Sequence, residues 1–306
     1  MLDTVGTVTG TRPAASAQAW FAGGERIGYD PKARAIVAAQ DAPLNVFLRR
    51  EGDLAHAVSF LPGFPDGSFG WAKVLPHLPD AAGMPKLFVE YVGMGDSDKP
   101  KDYGYSTAER TDLVESVWRH LGVQSTTLVA FDFSSLVVLE HLQRRLERSE
   151  RGEPPGGPDI RGVFIFNGGL FPGGHSHPWY TTPVLRQLPR AFEPGIGRSF
   201  TMFKLLAGVM WSKDYRVTDA EVRELYNPWT AMMACSTWRE PLASRPITKR
   251  KVAASTSDAS SRFIMVSSRS SWAAATKIPL NTGRSAWRKN GWASSALRSS
   301  ACRAVI

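Results

Sequence analysis

The run Thr127-Leu128-Val129-Ala130-Phe131-Asp132-Phe133-Ser134-Ser135-Leu136 constrains the fold more than any other segment. Apolar β-formers lead into Asp132, and a helical pattern of Leu136, Val137, Leu139 and Leu142 leaves it. That spacing predicts a buried strand, a tight turn and then a helix. A strand-to-helix turn this sharp strains the backbone at its apex, so residues two positions to either side must be small. Ala130 and Ser134 meet that demand. Two readings of the apical carboxylate stand at this point. It is a nucleophile that attacks carbon to form an ester, or it is an ordinary N-cap of the helix.

Flanking segments bear on that choice. Leu61-Pro62-Gly63-Phe64-Pro65 follows the apolar stretch Ala57-Val58-Ser59-Phe60, and Trp71 comes soon after. Lys86-Leu87-Phe88-Val89-Glu90 leads into Tyr91-Val92-Gly93-Met94-Gly95-Asp96-Ser97-Asp98-Lys99-Pro100. Tyr105-Ser106 opens a helix expected from Thr107 to Leu121, and Gly162-Val163-Phe164-Ile165-Phe166-Asn167-Gly168-Gly169-Leu170-Phe171-Pro172 reads as a strand and its exit. The Gly93-to-Ser97 loop lacks both the Lys-Ser/Thr ending of a P-loop and the third glycine of a dinucleotide fingerprint. In this order the motifs resemble those of α/β hydrolases, over roughly residues 20 to 230. The nearest likeness is to the Asp-nucleophile group: haloalkane dehalogenases, epoxide hydrolases and mesoderm-specific-transcript-type hydrolases.

The resemblance implies an α/β-hydrolase fold, a mostly parallel sheet with an inserted helical cap. The expected organisation is a disordered N-terminus over 1–18, a core over 19–170, a cap over 171–235 and an aberrant basic tail over 236–306. It also implies site roles. Asp132 is the expected nucleophile. The backbone N–H groups of Phe64 and Phe133 are the expected oxyanion donors, and Trp71, Tyr180 and Tyr215 are expected to line the substrate site. The sequence departs from the pattern at Pro62, where His is usual, and at Ser134, where Gly is usual. Phe133 and Phe64 carry no side-chain donor where some dehalogenases have Trp and Asn, so a halide is poorly served. An epoxide hydrolase needs a cap tyrosine to protonate the leaving oxygen, and Tyr180, Tyr215 and Tyr226 fall in the cap-like stretch. His175 and His177 form an H-x-H, but no cluster of Cys or carboxylates accompanies them; a surface loop is expected there, with no metal and no cofactor.

The chemistry implied by the resemblance also needs a histidine to activate water, and that residue normally lies near the C-terminus. No histidine follows His177, and Asp258 is the only Asp beyond Asp219. From Ser236 onward lie 13 of the Lys and Arg and 2 of the Asp and Glu, a net of +11 against +9 for the whole chain. The preceding residues are therefore slightly acidic, and the basic excess belongs to the tail alone. The tail is also crowded with serine. Ser and Arg have many codons, so a reading frame displaced near Ala231–Cys235 accounts for both. A native basic tail that binds nucleic acid or anionic lipid is the rival reading. Its basic residues are scattered rather than clustered, and Phe263-Ile264-Met265-Val266 is its one strand-like run.

A chain of 306 residues suits one α/β domain with an inserted cap. No apolar run is long enough to span a membrane, no signal-peptide layout opens the chain, and Cys235 and Cys302 make no disulfide framework. The expectation is a cytoplasmic protein acting on a small molecule, with no nucleic-acid or membrane partner and with its oligomeric state open. The expected activity is Asp-nucleophile hydrolysis of small apolar epoxides or haloalkanes, impaired where the C-terminal histidine and acid are lacking. The alternative is a non-catalytic binding protein on the same scaffold.

Overall fold

Among the described residues nine strands form one mixed sheet: β1 (Glu25–Asp30), β2 (Ala35–Val37), β3 (Leu44–Glu51), β4 (His56–Leu61), β5 (Lys86–Val89), β6 (Ser125–Phe131), β7 (Asp159–Phe166), β8 (Phe263–Val266) and β9 (Thr276–Lys277). Their order in the sheet is β2-β1-β3-β5-β4-β6-β7-β8-β9. The computed structural model describes residues 16–64, 67–78, 83–168, 199–208, 217–234, 263–266 and 276–277. Strands β5, β4, β6, β7 and β8 run parallel, while β1, β2, β3 and β9 pair antiparallel at the two edges. The short run Phe263–Val266 does form a strand, set parallel against β7 from Val163 to Phe166.

Helix α2 (Thr107–His120) joins β5 to β6, and α3 (Ser134–Glu150) joins β6 to β7. The start of α2 is fixed by a reciprocal cap. The Glu109 N–H donates to Ser106 Oγ at 3.2 Å, and the Ser106 N–H donates to Glu109 Oε2 at 2.8 Å. Among the shorter elements are α1 (Ala17–Ala22) and the 3-10 turn Ser68–Lys73. Ala17 opens its helix two residues inside the stretch expected to be disordered. Beyond the core strands lie α4 (Phe200–Gly208) and α5 (Asp219–Ala234). A reciprocal cap also opens α5: Glu221 N–H reaches Thr218 Oγ1 at 3.3 Å, and Glu221 Oε2 accepts from Thr218 N–H at 2.8 Å.

Alternation along the strands gives the sheet two unlike faces. Leu87, Val89, Val46, Leu48, Leu128 and Ala130 join Val114, Val117, Trp118, Val137, Val138 and Leu142 of α2 and α3 in an aliphatic core. The opposite face is aromatic, with Phe47, Phe60 and Phe88 packed against Trp20, Phe69 and Trp71. A polar seam under α2 is bonded internally: Trp118 Nε1 donates to Ser59 Oγ at 2.9 Å, which lies 2.8 Å from Thr126 Oγ1.

The charged run that ends α3 is partly turned inward. Arg144 Nη1 lies 2.6 Å from Asp112 Oδ1 and 3.3 Å from Glu115 Oε2 on α2. Beside it the buried His141 Nδ1 lies 2.9 Å from Glu115 Oε1. Burial, the largest influence on His141, pulls its pKa below the usual imidazole value, while Glu115 is held low by its bonds to His141 and Arg144 despite its own burial. Both groups bind protons more tightly once unfolded; the His141 contribution is whole above the ordinary histidine pKa and declines as pH falls below it, whereas that of Glu115 holds down to the ordinary carboxylate range. Urea denaturation from pH 8 to pH 5 is expected to show stability falling below about pH 6.5. A His141→Gln variant is expected to flatten that decline, and an unchanged slope in it would assign the acid sensitivity elsewhere.

Candidate functional site

The chain leaves β4 toward β5 on one side and later places β6 on the other side of β4. Such a reversal of strand order opens a crevice at the carboxyl ends of the strands. Parallel pairing from His56↔Ser125 to Leu61↔Ala130 brings the exits of β4 and β6 together. Phe64 follows one exit and Asp132 the other.

Asp132 sits at the apex between β6 and α3 with φ of 50°. Non-glycine residues seldom adopt this left-handed region, and a residue held there stores strain that its surroundings must offset. The surroundings do so through hydrogen bonds. Asp132 N–H donates to Phe166 O at 3.1 Å, and its carbonyl accepts from Ser135 N–H at 3.1 Å and Ser135 Oγ at 2.6 Å. The N-cap position of α3 belongs to Phe133, with φ −58° and ψ −34°, and no side chain caps it. The N-cap reading of Asp132 therefore falls away. Its Oδ2 instead accepts from the Phe64 N–H at 3.1 Å, across the gap between the two strand exits.

The small-residue requirement is met with an addition. Ser134 is fully buried, and its hydroxyl bonds Pro62 O at 2.5 Å and Tyr91 OH at 2.6 Å. A glycine there would leave those groups without that link. Gly63 has its own reason: a Cβ built on it would stand 2.1 Å from the Phe131 ring. Phe131 in turn packs on Phe166, which meets Trp71 edge-on at 5.6 Å. Trp71 is 4% exposed and belongs to this aromatic layer.

Above the apex, Phe64 touches both the aliphatic core and the pair α4–α5, where it packs with Phe203 and Val222. Helix α5 is tied to the core by a Glu221–Lys73 ion pair, by a 2.8 Å bond from Ala17 N–H to Glu224 Oε2 and by Leu225, which packs on the aromatic layer. Tyr226 faces Phe200 at 5.3 Å and Phe203 at 5.5 Å within that pair. Tyr180, Tyr215, His175 and His177 lie outside the described residues. Among the described residues no cluster of three or more His, Cys, Asp or Glu is placed to hold a metal, and no helix is long and apolar enough to cross a membrane.

Two buried ionisable groups at the site escaped the sequence reading. Arg110, on α2, lays its guanidinium over the Phe133 ring at 4.5 Å and near Tyr91 at 5.7 Å, and its Nη1 donates to Tyr105 O at 2.5 Å. Burial pulls its pKa down to about 10. Glu90, directly after β5, is fully buried, and burial pushes its pKa up to about 7 against the hydrogen bonds from Ser68. A carboxylate closing an otherwise apolar strand was the available signal for Glu90. Nothing in the helical pattern of α2 marks Arg110, because its burial arises from the loop folded over it. The Gly93–Ser97 loop is structural: Ser97 Oγ accepts from Phe47 N–H at 2.8 Å, and Lys99 caps the Gly95 and Ser97 carbonyls.

No family model matches the chain. Over 121 residues it is 35% identical to the mesoderm-specific transcript protein of Mus musculus, covering 39% of this chain and 34% of that one. The chain thus spans about a third of that relative's length. The structure of a bromoperoxidase from Bacillus anthracis superposes with a TM-score of 0.54 at 15% identity, covering 80% of each chain. The chain has the α/β-hydrolase fold. A single-site variant of the haloalkane dehalogenase DatA from Agrobacterium tumefaciens C58 superposes with a TM-score of 0.51 at 19% identity, covering 79% of each chain. Identities this low speak for the α/β-hydrolase fold alone, and the fold hosts unrelated chemistries. The likeness to this superfamily read from the motifs holds. The roles of individual residues rest on the geometry around Asp132.

Proposed function

We propose that this α/β-hydrolase-fold protein uses Asp132 as a carbon-attacking nucleophile on small apolar epoxides or haloalkanes. The observation that carries the reading is the strained Asp132, its carboxylate oxygen 3.1 Å from the Phe64 N–H. An anion leaving the attacked carbon would find that same donor, joined by the Phe133 N–H in the first turn of α3, where backbone donors lack intrahelical acceptors. The 17-residue α3 also directs its positive end at this point. Phe64, Phe133, Phe203 and Val222 give the surroundings an apolar character suited to such substrates.

In the reaction an Asp132 oxygen attacks the electrophilic carbon, and the carbon–oxygen or carbon–halogen bond breaks with its electron pair on the leaving atom. An epoxide leaves an alkoxide that takes up a proton, so the protein gains the whole epoxide mass. A haloalkane loses its halogen as halide, and the protein gains the alkyl group in place of a proton. Water must then cleave the ester, which needs a general base. Of the described histidines, His56 begins β4 and bonds Ser125 Oγ, His77 ends a 3-10 turn after Trp71, His120 ends α2, and His141 is paired with Glu115; none is bonded to Asp132. With no histidine after His177, the ester is expected to form and to persist. Intact-mass analysis after incubation with terminal epoxides and 1-haloalkanes tests this. A single adduct mapped to Asp132 supports the reading. No adduct across a broad panel overturns it in favour of a binding role on the same scaffold.

A further inference from the structure

We infer that Glu90 is a positioning residue: its buried carboxylate anchors the loop that presents the Phe64 N–H to Asp132. The inference rests on the reading of that N–H as the anion donor. Glu90 emerges from β5, the strand beside β4, and reaches under the loop that β4 feeds. Its Oε1 accepts from the Ser68 N–H at 2.8 Å and its Oε2 from the Ser68 hydroxyl at 2.6 Å. The Ser68 hydroxyl is itself oriented by Trp20 Nε1, which donates to it at 3.1 Å.

The seat admits no other side chains. A Cβ at Gly67 would stand 2.3 Å from Oε1, and one at Gly95 would stand 2.2 Å from Oε2. Both glycines also hold positive φ, 64° and 47°. From Ser68 the path to the site is short. Gly67 N–H donates back to Gly63 O at 3.2 Å, closing the loop on itself. Gly63 is followed by Phe64, whose N–H meets Asp132. Two carboxylates thus brace the loop, Asp132 at Phe64 and Glu90 at Ser68. Among the described residues no arginine or lysine side chain is hydrogen-bonded to Glu90. The nearby charges are Lys99, which draws its pKa down, and Asp96, which raises it. A buried carboxylate without an ion-pair partner is costly unless its oxygens are well bonded, and here both oxygens are bonded by the residue to be held.

The test follows the Phe64 and Ser68 amides by NMR in protein labelled with 15N-phenylalanine and 15N-serine, between pH 5.5 and 8.5. Both resonances are expected to shift with one midpoint near 7, and both steps are expected to vanish in Glu90→Gln. A Ser68 step with a flat Phe64 resonance, or a Phe64 step that survives in Glu90→Gln, overturns the inference. The second readout is adduct formation. Glu90→Gln is expected to slow it about tenfold at saturating substrate, with half-saturation unchanged and the inflection near 7 lost from its pH profile. An unchanged rate and profile also overturn it. If the wild-type protein forms no adduct, the nucleophile reading fails by itself while the amide titration still decides the role of Glu90. Glu90→Gln is chosen over Glu90→Ala because the amide keeps the volume of the seat.

Discussion

Asp132→Asn is expected to abolish adduct formation, lowering its rate by on the order of 10⁴-fold or more, while leaving the fold intact. Asparagine is among the residues that best tolerate the left-handed backbone that Asp132 adopts at φ 50°. Its side-chain oxygen can still accept from the Phe64 N–H. The loss of charge at the start of α3 removes a helix-dipole contribution of about 0.3–1 kcal/mol, too little to unfold the protein. Mass analysis therefore separates chemistry from stability in one variant. An adduct that forms at an undiminished rate in Asp132→Asn would place the nucleophile elsewhere, with Ser134 and Ser135 next in line. Ser134 is an unpromising substitute, because its hydroxyl is spent on Tyr91 and Pro62 beneath the apex.

Gly63→Ala is expected to damage both stability and reactivity. The added methyl carbon would lie 2.1 Å from Cδ1 and 2.5 Å from Cε1 of Phe131. That ring has little room to yield, because it packs on Phe166 at 5.1 Å. Overpacking of this kind typically costs about 1–3 kcal/mol. The displaced backbone carries Phe64, so the N–H moves off the anion position, and a shift of about 1 Å at such a donor is typically worth about 10²-fold in rate. Chemical denaturation and the adduct rate are expected to fall together. Adding Phe131→Leu, which shortens the opposing side chain, is expected to recover part of both losses. No recovery would mean that the strain is taken up elsewhere in the loop.

The elements that read most clearly were those whose signal is local. The strand, turn and helix around Asp132 follow from apolar β-formers, two small neighbours and a helical repeat within sixteen residues. The opening of α2 after Ser106 was legible as well. The short strand at Phe263–Val266 stood out against a polar background. What escaped is set by packing between distant segments. Arg144 sits in a charged run that looks solvated, yet α2 brings Asp112 and Glu115 to it. Arg110 carries no mark of burial until Tyr105 and Phe133 enclose it. Ser134 departs from the glycine of the family pattern, and only the approach of Pro62 and Tyr91 explains the hydroxyl. Nothing in the periodicity assigns a proton acceptor for the ester, since periodicity locates faces and not partners.

The six consecutive register pairs between β4 and β6 have a consequence for how the site comes into being. Neighbouring strands lie about 4.8 Å apart, so pairing Leu61 with Ala130 already sets the gap that Phe64 and Asp132 span. The donor and the carboxylate are thus assembled by a single ladder, between segments only about seventy residues apart in the chain. A one-residue slip of β6 along that ladder would turn Phe131 to the wrong face and part the two groups at once. Changes in β8, β9 or the helices above would leave the ladder as it is. The meeting of donor and acid is therefore an inherited property of one strand pair, open to elaboration by whatever the rest of the chain supplies.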